Sequence, residues 1–138
     1  MNFKDLPEKR YVYFLCPVRG VTKEQKGFLD DYVTRLEANG HEVHYPHRDA
    51  KQDDPTGFGI VTTHKTEMRK CTELHAYWTG SEGQVFDLGM SGMIDLPVHI
   101  IPECNIKRTE NKSFTNVIIE LEKMYKQQGF VPAQPKQP

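Results

Sequence analysis

The stretch that most constrains this chain runs from Leu74 to Gly92. A short apolar run, Leu74-His75-Ala76-Tyr77-Trp78, meets a glycine-bearing loop at Thr79 to Gly83. Small and apolar residues at helical spacing follow it. That order describes a strand feeding a helix through a turn large enough to hold a ligand, the place where open α/β sheets bind their ligands. Amides at Ser81, Glu82 and Gly83, at the helix start, suit an anion without any side-chain charge. Asp87 falls one turn further, a carboxylate in an otherwise apolar helix face. It is either a solvated surface acid or part of a site.

The remaining elements follow in order. Tyr11 to Cys16 is a near-continuous apolar and aromatic run, the pattern of a strand covered on both faces. Pro17-Val18-Arg19-Gly20 closes it as a loop. Thr22 and Gln25 form a capping box ahead of Phe28, Leu29, Tyr32, Val33 and Leu36, and Asn39-Gly40 ends that helix. Glu42 to Tyr45 is a short second strand stopped by Pro46. His47 to Gly59 is polar and turn-rich, a loop long enough to be functional or mobile. Ile60, Val61, His64, Met68 and Cys71 mark one face of a second helix, on which Glu67 neighbours His64. Pro97 to Ile101 is a fourth strand, Cys104 to Lys112 a polar linker, and Ser113 caps a helix with the face Phe114, Val117, Ile118, Leu121 and Met124. Gly129 to Pro138 has three prolines and no periodicity and is expected to be disordered.

This alternation predicts an α/β, flavodoxin-like or Rossmann-like three-layer sandwich over residues 1–128, a single domain with a parallel sheet ordered 2-1-3-4. A fifth strand, if present, lies after Pro102. That order brings Pro17 to Gly20 and Thr79 to Gly83 to one crevice. At 138 residues one core suffices. A net charge of −1 with mixed signs gives no footprint for a nucleic acid polymer. No apolar run is long enough for a membrane span and the first residues carry no signal-like core, so no membrane partner and a cytoplasmic location are expected. Cys16, Cys71 and Cys104 have neither zinc spacing nor an even count and read as free thiols. His41, His44 and His47 lack matching ligands, so no metal and no cofactor is expected.

Three segments together resemble the nucleoside 2-deoxyribosyltransferase superfamily, which includes the deoxynucleoside 5′-monophosphate N-glycosidases. They are Tyr13-Phe14-Leu15-Cys16-Pro17-Val18-Arg19-Gly20, His64 with Glu67, and Ser81-Glu82-Gly83-Gln84-Val85-Phe86-Asp87-Leu88-Gly89. The resemblance spans about Tyr11 to Ile101. It implies cleavage of the bond between a base and a 2-deoxyribose through a carboxylate nucleophile. Asp87 stands where that family carries its nucleophilic glutamate, and Glu67 where the glycosidases carry an aspartate acting as acid or base. The two differences are one methylene each, in opposite senses. Tyr13 matches a tyrosine that positions the nucleophile. Pro17, Arg19, Gly20, Ser81 and Gly83 match segments that hold a 5′-phosphate, although Glu82 beside them is a like charge. Family members assemble as dimers or larger homo-oligomers, and Met90, Met93 and Ile94 offer a self-contact unless they face the sheet.

The chemistry asks for such residues. Breaking an N-glycosidic bond builds positive charge on the sugar, which an ionised carboxylate stabilises or captures, while the leaving base needs a proton. Asp87 and Glu67 would divide that work. His64 is either a helix hydrogen-bonder or a substrate contact, Tyr13 and Trp78 either core aromatics or site residues with Trp78 stacking on a base. His75 stands where relatives carry an aspartate. The sequence thus carries two readings: hydrolysis or base exchange on a nucleoside or nucleotide, and a catalytically inactive nucleotide-binding module of the same fold.

Overall fold

The computed structural model describes residues 3–138; Met1 and Asn2 lie outside the described residues. Four strands, β1 (Tyr11–Leu15), β2 (Glu42–His44), β3 (Glu73–Ala76) and β4 (Val98–Ile100), form one all-parallel sheet ordered β2-β1-β3-β4. Tyr13 lies beside His44 on one side and Leu74 on the other. Four main helices, α1 (Lys23–Ala38), α3 (Phe58–Met68), α4 (Glu82–Met93) and α5 (Phe114–Gln127), make this the α/β flavodoxin-like fold. A four-residue α2 (Pro46–Asp49) opens the expected 47–59 loop, because Pro46 supplies the first-turn conformation where its missing N–H costs nothing. Among the described residues no fifth strand follows Pro102, and no helix is long and apolar enough to cross a membrane.

The period-two alternation of strands sorts the core into two layers. Val12, Phe14 and Val43 pack under Leu29, Tyr32, Val33 and Leu36 of α1. Tyr13, Leu15, Leu74, Ala76, Val98 and Ile100 point the other way, against Met68 of α3, Leu88 of α4, and Ile118 and Tyr125 of α5. The Thr22–Gln25 capping box forms in both directions, satisfying the amides of Thr22, just ahead of α1, and of Gln25 in its first turn.

Two expectations are corrected. Residues 129–138 are packed rather than disordered. Phe130 is buried beside Phe3, the Ala133 N–H donates to the buried Glu73 carboxylate at 2.8 Å, and the Lys136 N–H donates to the Arg35 carbonyl at 2.9 Å. Partners on β3 and next to or within α1 take up its backbone groups. In α5, Phe114, Val117 and Met124 are exposed while Ile118 and Tyr125 are buried. Leu121 of the expected face packs partly on the core, and the nearby Glu122 carboxylate accepts the Ile100 N–H of edge strand β4.

Candidate functional site

Strand parity aims Tyr13 at α3 and α4, where it meets Asp87. The Tyr13 hydroxyl donates to Asp87 Oδ2 at 3.0 Å, and His64 Nδ1 lies 3.1 Å from the same oxygen. The Asp87 side chain is 10 % exposed and that of His64 11 %. Oδ1 has no protein partner among the described residues and is not a sealed atom. Burial first, and then the Asp87 charge and hydrogen bond, push the Tyr13 phenol far above its ordinary range, so it stays a donor. An ionised Asp87 requires a proton on the His64 nitrogen that faces Oδ2. His64 Nε2 is then a lone pair, buried and without a partner. His64 therefore orients Asp87 and has no exposed nitrogen with which to protonate a ligand.

Asp87 and His64 open on a cleft of about 730 Å³ at the carboxyl ends of β1 and β3. Its floor is Leu15, Cys16 and Pro17, and Ile60, Val61 and Phe86 give it an apolar side. Its polar end carries Arg19, Thr79, Ser81, Glu82 and Gly83, and Gln52, Thr56 and Gly57 bring the 47–59 segment to its rim. Asp54 fixes that segment by accepting the Ile60 N–H at 3.0 Å and the Thr56 N–H at 3.2 Å. Gly59 lies against it, where a Cβ would come within 2.9 Å of the Asp54 carboxylate. Burial also pushes the Cys16 thiol well above its ordinary range, so the floor is uncharged.

The turn before α4 is organised by Gln84, a residue the sequence reading did not single out. Its buried Oε1 accepts from the Thr79 N–H at 2.7 Å, the Gly80 N–H at 3.0 Å and the Thr79 hydroxyl at 3.0 Å, while its Nε2 donates to the Tyr77 carbonyl at 2.9 Å. Ser81 caps the helix by accepting the Gln84 N–H. The Glu82 and Gly83 amides have no such partner among the described residues and form, with Arg19 on the same cleft, the anion-favouring end.

Not every candidate joins this site. Glu67, expected opposite Asp87, lines a separate cavity of about 320 Å³ behind α3 and pairs with Lys70 at 3.2 Å. Three residues past His64 the helix has turned it off the cleft. Trp78 is buried in the core with its Nε1–H on the Thr115 hydroxyl at 2.9 Å, because it shares strand parity with Leu74 and Ala76. Gly20 takes φ +68°, a turn conformation glycine favours, and is exposed beside Arg19 without lining the cleft. His75 is sealed under α1 between the Tyr32 hydroxyl and Glu73, at 2.6 Å from each. Met90 packs partly on the core, whereas Met93 is 85 % exposed. His44, weighed in sequence only as a metal ligand, lies tilted against the Tyr13 ring with ring centres 5.2 Å apart, a neighbourhood set by strand register. Among the described residues no group of three or more His, Cys, Asp or Glu could hold a metal.

No family model and no curated protein matches this chain. Among solved structures it is similar to a conserved protein from Enterococcus faecalis V583, at 15 % identity and a TM-score of 0.51. The match covers 67 % of this chain and 62 % of that protein. The likeness is one of fold.

Proposed function

We propose that this protein cleaves the N-glycosidic bond of a nucleoside or nucleoside 5′-monophosphate, with Asp87 as the nucleophile. The observation that carries the reading is the asymmetric carboxylate: Oδ2 is held by Tyr13 and His64, and Oδ1 is left for the cleft. Oδ1 attacks the anomeric carbon as the carbon–nitrogen bond breaks, and the bonding pair leaves with the base. Glu67 is not available to protonate that base. The base therefore leaves with the bonding pair and takes its proton from solvent water, and the water that attacks the glycosyl ester releases its own proton to solvent. Release of that ester to water is hydrolysis, and release to a second base is transfer.

Arg19 and the free amides of Glu82 and Gly83 favour a 5′-phosphate, whereas the Glu82 side chain opposes one. Incubating the protein with deoxynucleosides and their 5′-monophosphates, and separating free base by chromatography, tests the reaction and the anion together. Base released from either class supports it. No release at high protein concentration overturns it.

The second reading is a nucleotide-binding module without turnover, favoured by the displacement of Glu67 from the cleft. Calorimetric binding of a monophosphate with no base released is its signature. Self-association belongs to the same proposal: Phe86, Met93 and Ile94 leave an apolar face on α4, and Phe86 also borders the cleft, so a second copy seated there would wall it. Light scattering of the wild type and Met93→Lys checks it, a dimer that becomes a monomer being the expected result.

A further inference from the structure

Among the described residues, the titratable side chains that line the cleft are Cys16, Arg19, His64, Glu82 and Asp87. Each is already placed. Asp87 is the attacking carboxylate, and His64 has one nitrogen against it and the other sealed. Burial makes the Cys16 thiol too weak an acid to give up its proton, and a guanidinium such as that of Arg19 keeps its own. Glu82 is exposed at the polar end, which the proposed reaction gives to the phosphate.

The opposite side of the cleft holds its protons as firmly. Ile60, Val61 and Phe86 are apolar. At the rim both protons of Gln52 Nε2 are engaged, on the Ala50 carbonyl at 3.1 Å and the Pro46 carbonyl at 3.5 Å. The Thr56 hydroxyl donates to Asp54 Oδ1 at 3.3 Å and accepts the Phe58 N–H at 3.1 Å. What these two side chains have left for a base is acceptor oxygen.

Such walls discriminate between leaving groups. A neutral base departs as an anion and finds its proton in solvent afterwards, so the charge of Asp87 is moved towards apolar side chains and acceptors, poor surroundings for it. A base that arrives as a cation reverses the balance. Two carboxylates against one guanidinium attract it. Asp87 Oδ1 then forms its bond to the anomeric carbon, the carbon–nitrogen pair stays with the ring and cancels its charge, and a neutral base and a neutral ester remain. Cation and carboxylate are discharged together, a change that poorly solvating walls favour. No proton moves until water opens the ester.

We propose that the substrates of this cleft are nucleosides or nucleoside 5′-monophosphates whose base is a cation, either a purine alkylated on a ring nitrogen or a pyridinium, both of which leave neutral. The inference rests on Asp87 as the nucleophile and adds the class of base.

The test compares guanine, 7-methylguanine and nicotinamide on one sugar, as 2′-deoxynucleosides and as their 5′-monophosphates. Base released by the full chain is measured and corrected for the rate without protein. A positioned acid is worth about 10²–10⁴-fold and levels the difference between such bases. Without one, kcat/KM for 7-methylguanine or nicotinamide should exceed that for guanine by at least about 10²-fold. A gap of that size for either cation supports the proposal, and which of the two is faster separates the alkylated purine from the pyridinium. Guanine released as fast as both cations overturns the proposal and keeps the reaction. No base from any of the three overturns both.

Discussion

The molecule contains the same trio twice, once open and once sealed. Glu73, His75 and Tyr32 lie under α1; Asp87, His64 and Tyr13 lie on the opposite face, below α3 and α4. In the sealed trio every group is used. Glu73 Oε1 accepts from Arg10 at 2.7 Å and from Thr72 at 3.3 Å, Oε2 meets His75 and the Ala133 N–H, and both His75 nitrogens are partnered. In the open trio one carboxylate oxygen and one imidazole nitrogen have no protein partner among the described residues. Burial is common to both, so burial does not mark the site. Incomplete satisfaction beside a cleft does.

The contrast breaks most sharply at the carboxylates. Asp87→Asn should lower base release by at least about 10³-fold, given what loss of a nucleophile costs other enzymes, while the thermal midpoint stays near that of the wild type. Glu73→Gln should do the opposite. Leaving Arg10 and His75 with an unmatched buried partner costs about 3–5 kcal/mol, read by urea unfolding, and Asp87-dependent turnover per folded molecule should persist.

Acid should separate the trios as well. Burial alone would raise the Glu73 carboxyl, but the hydrogen bond and charge of His75, the Ala133 amide and Arg10 outweigh it and bring it down to about 2. A carboxyl depressed on folding contributes stability that is complete above its unfolded value of about 4.5 and is lost as pH falls from there towards 2. His99, brought down to about 3 by burial and the His75 charge, acts earlier, contributing in full above about 6.5 and losing its share on the way down. Unfolding midpoints measured from pH 7.5 to 3 should therefore decline in two stages, and Glu73→Gln should flatten the lower one.

Smaller effects sharpen the open side. Arg19→Ala should raise KM for a monophosphate about tenfold, the worth of one charge-assisted contact, and leave a nucleoside unchanged. Trp78→Phe should cost about 1 kcal/mol of stability through the lost Thr115 hydrogen bond and leave KM alone; a raised KM would return Trp78 to the ligand.

Much of this arrangement is legible in the residues. Apolar runs separated by amphipathic helices led to the parallel 2-1-3-4 sheet, and the Thr22–Gln25 pair marked the start of α1. The joining of Pro17 and Arg19 with Ser81 and Gly83 in one cleft followed from that order. What escaped depended on orientation. Glu67 follows His64 by three residues, but the helix rotation over those three took it to another cavity. Trp78 needed its strand parity, and His44 its register against Tyr13, before either could be placed. Gln84 looks like an ordinary helix residue until its carbonyl is found on three donors of the turn. The tail carries no periodicity because its anchors, Glu73 and Arg35, lie far away in the chain.

The central claim is that Asp87 Oδ1 forms a bond to the sugar. Protein quenched in acid during turnover of a deoxynucleoside or its monophosphate, digested and weighed by mass spectrometry, reports on it directly. The account predicts a peptide containing Asp87 that is heavier by one glycosyl residue and absent from Asp87→Asn. Base released with the label on another residue would contradict it.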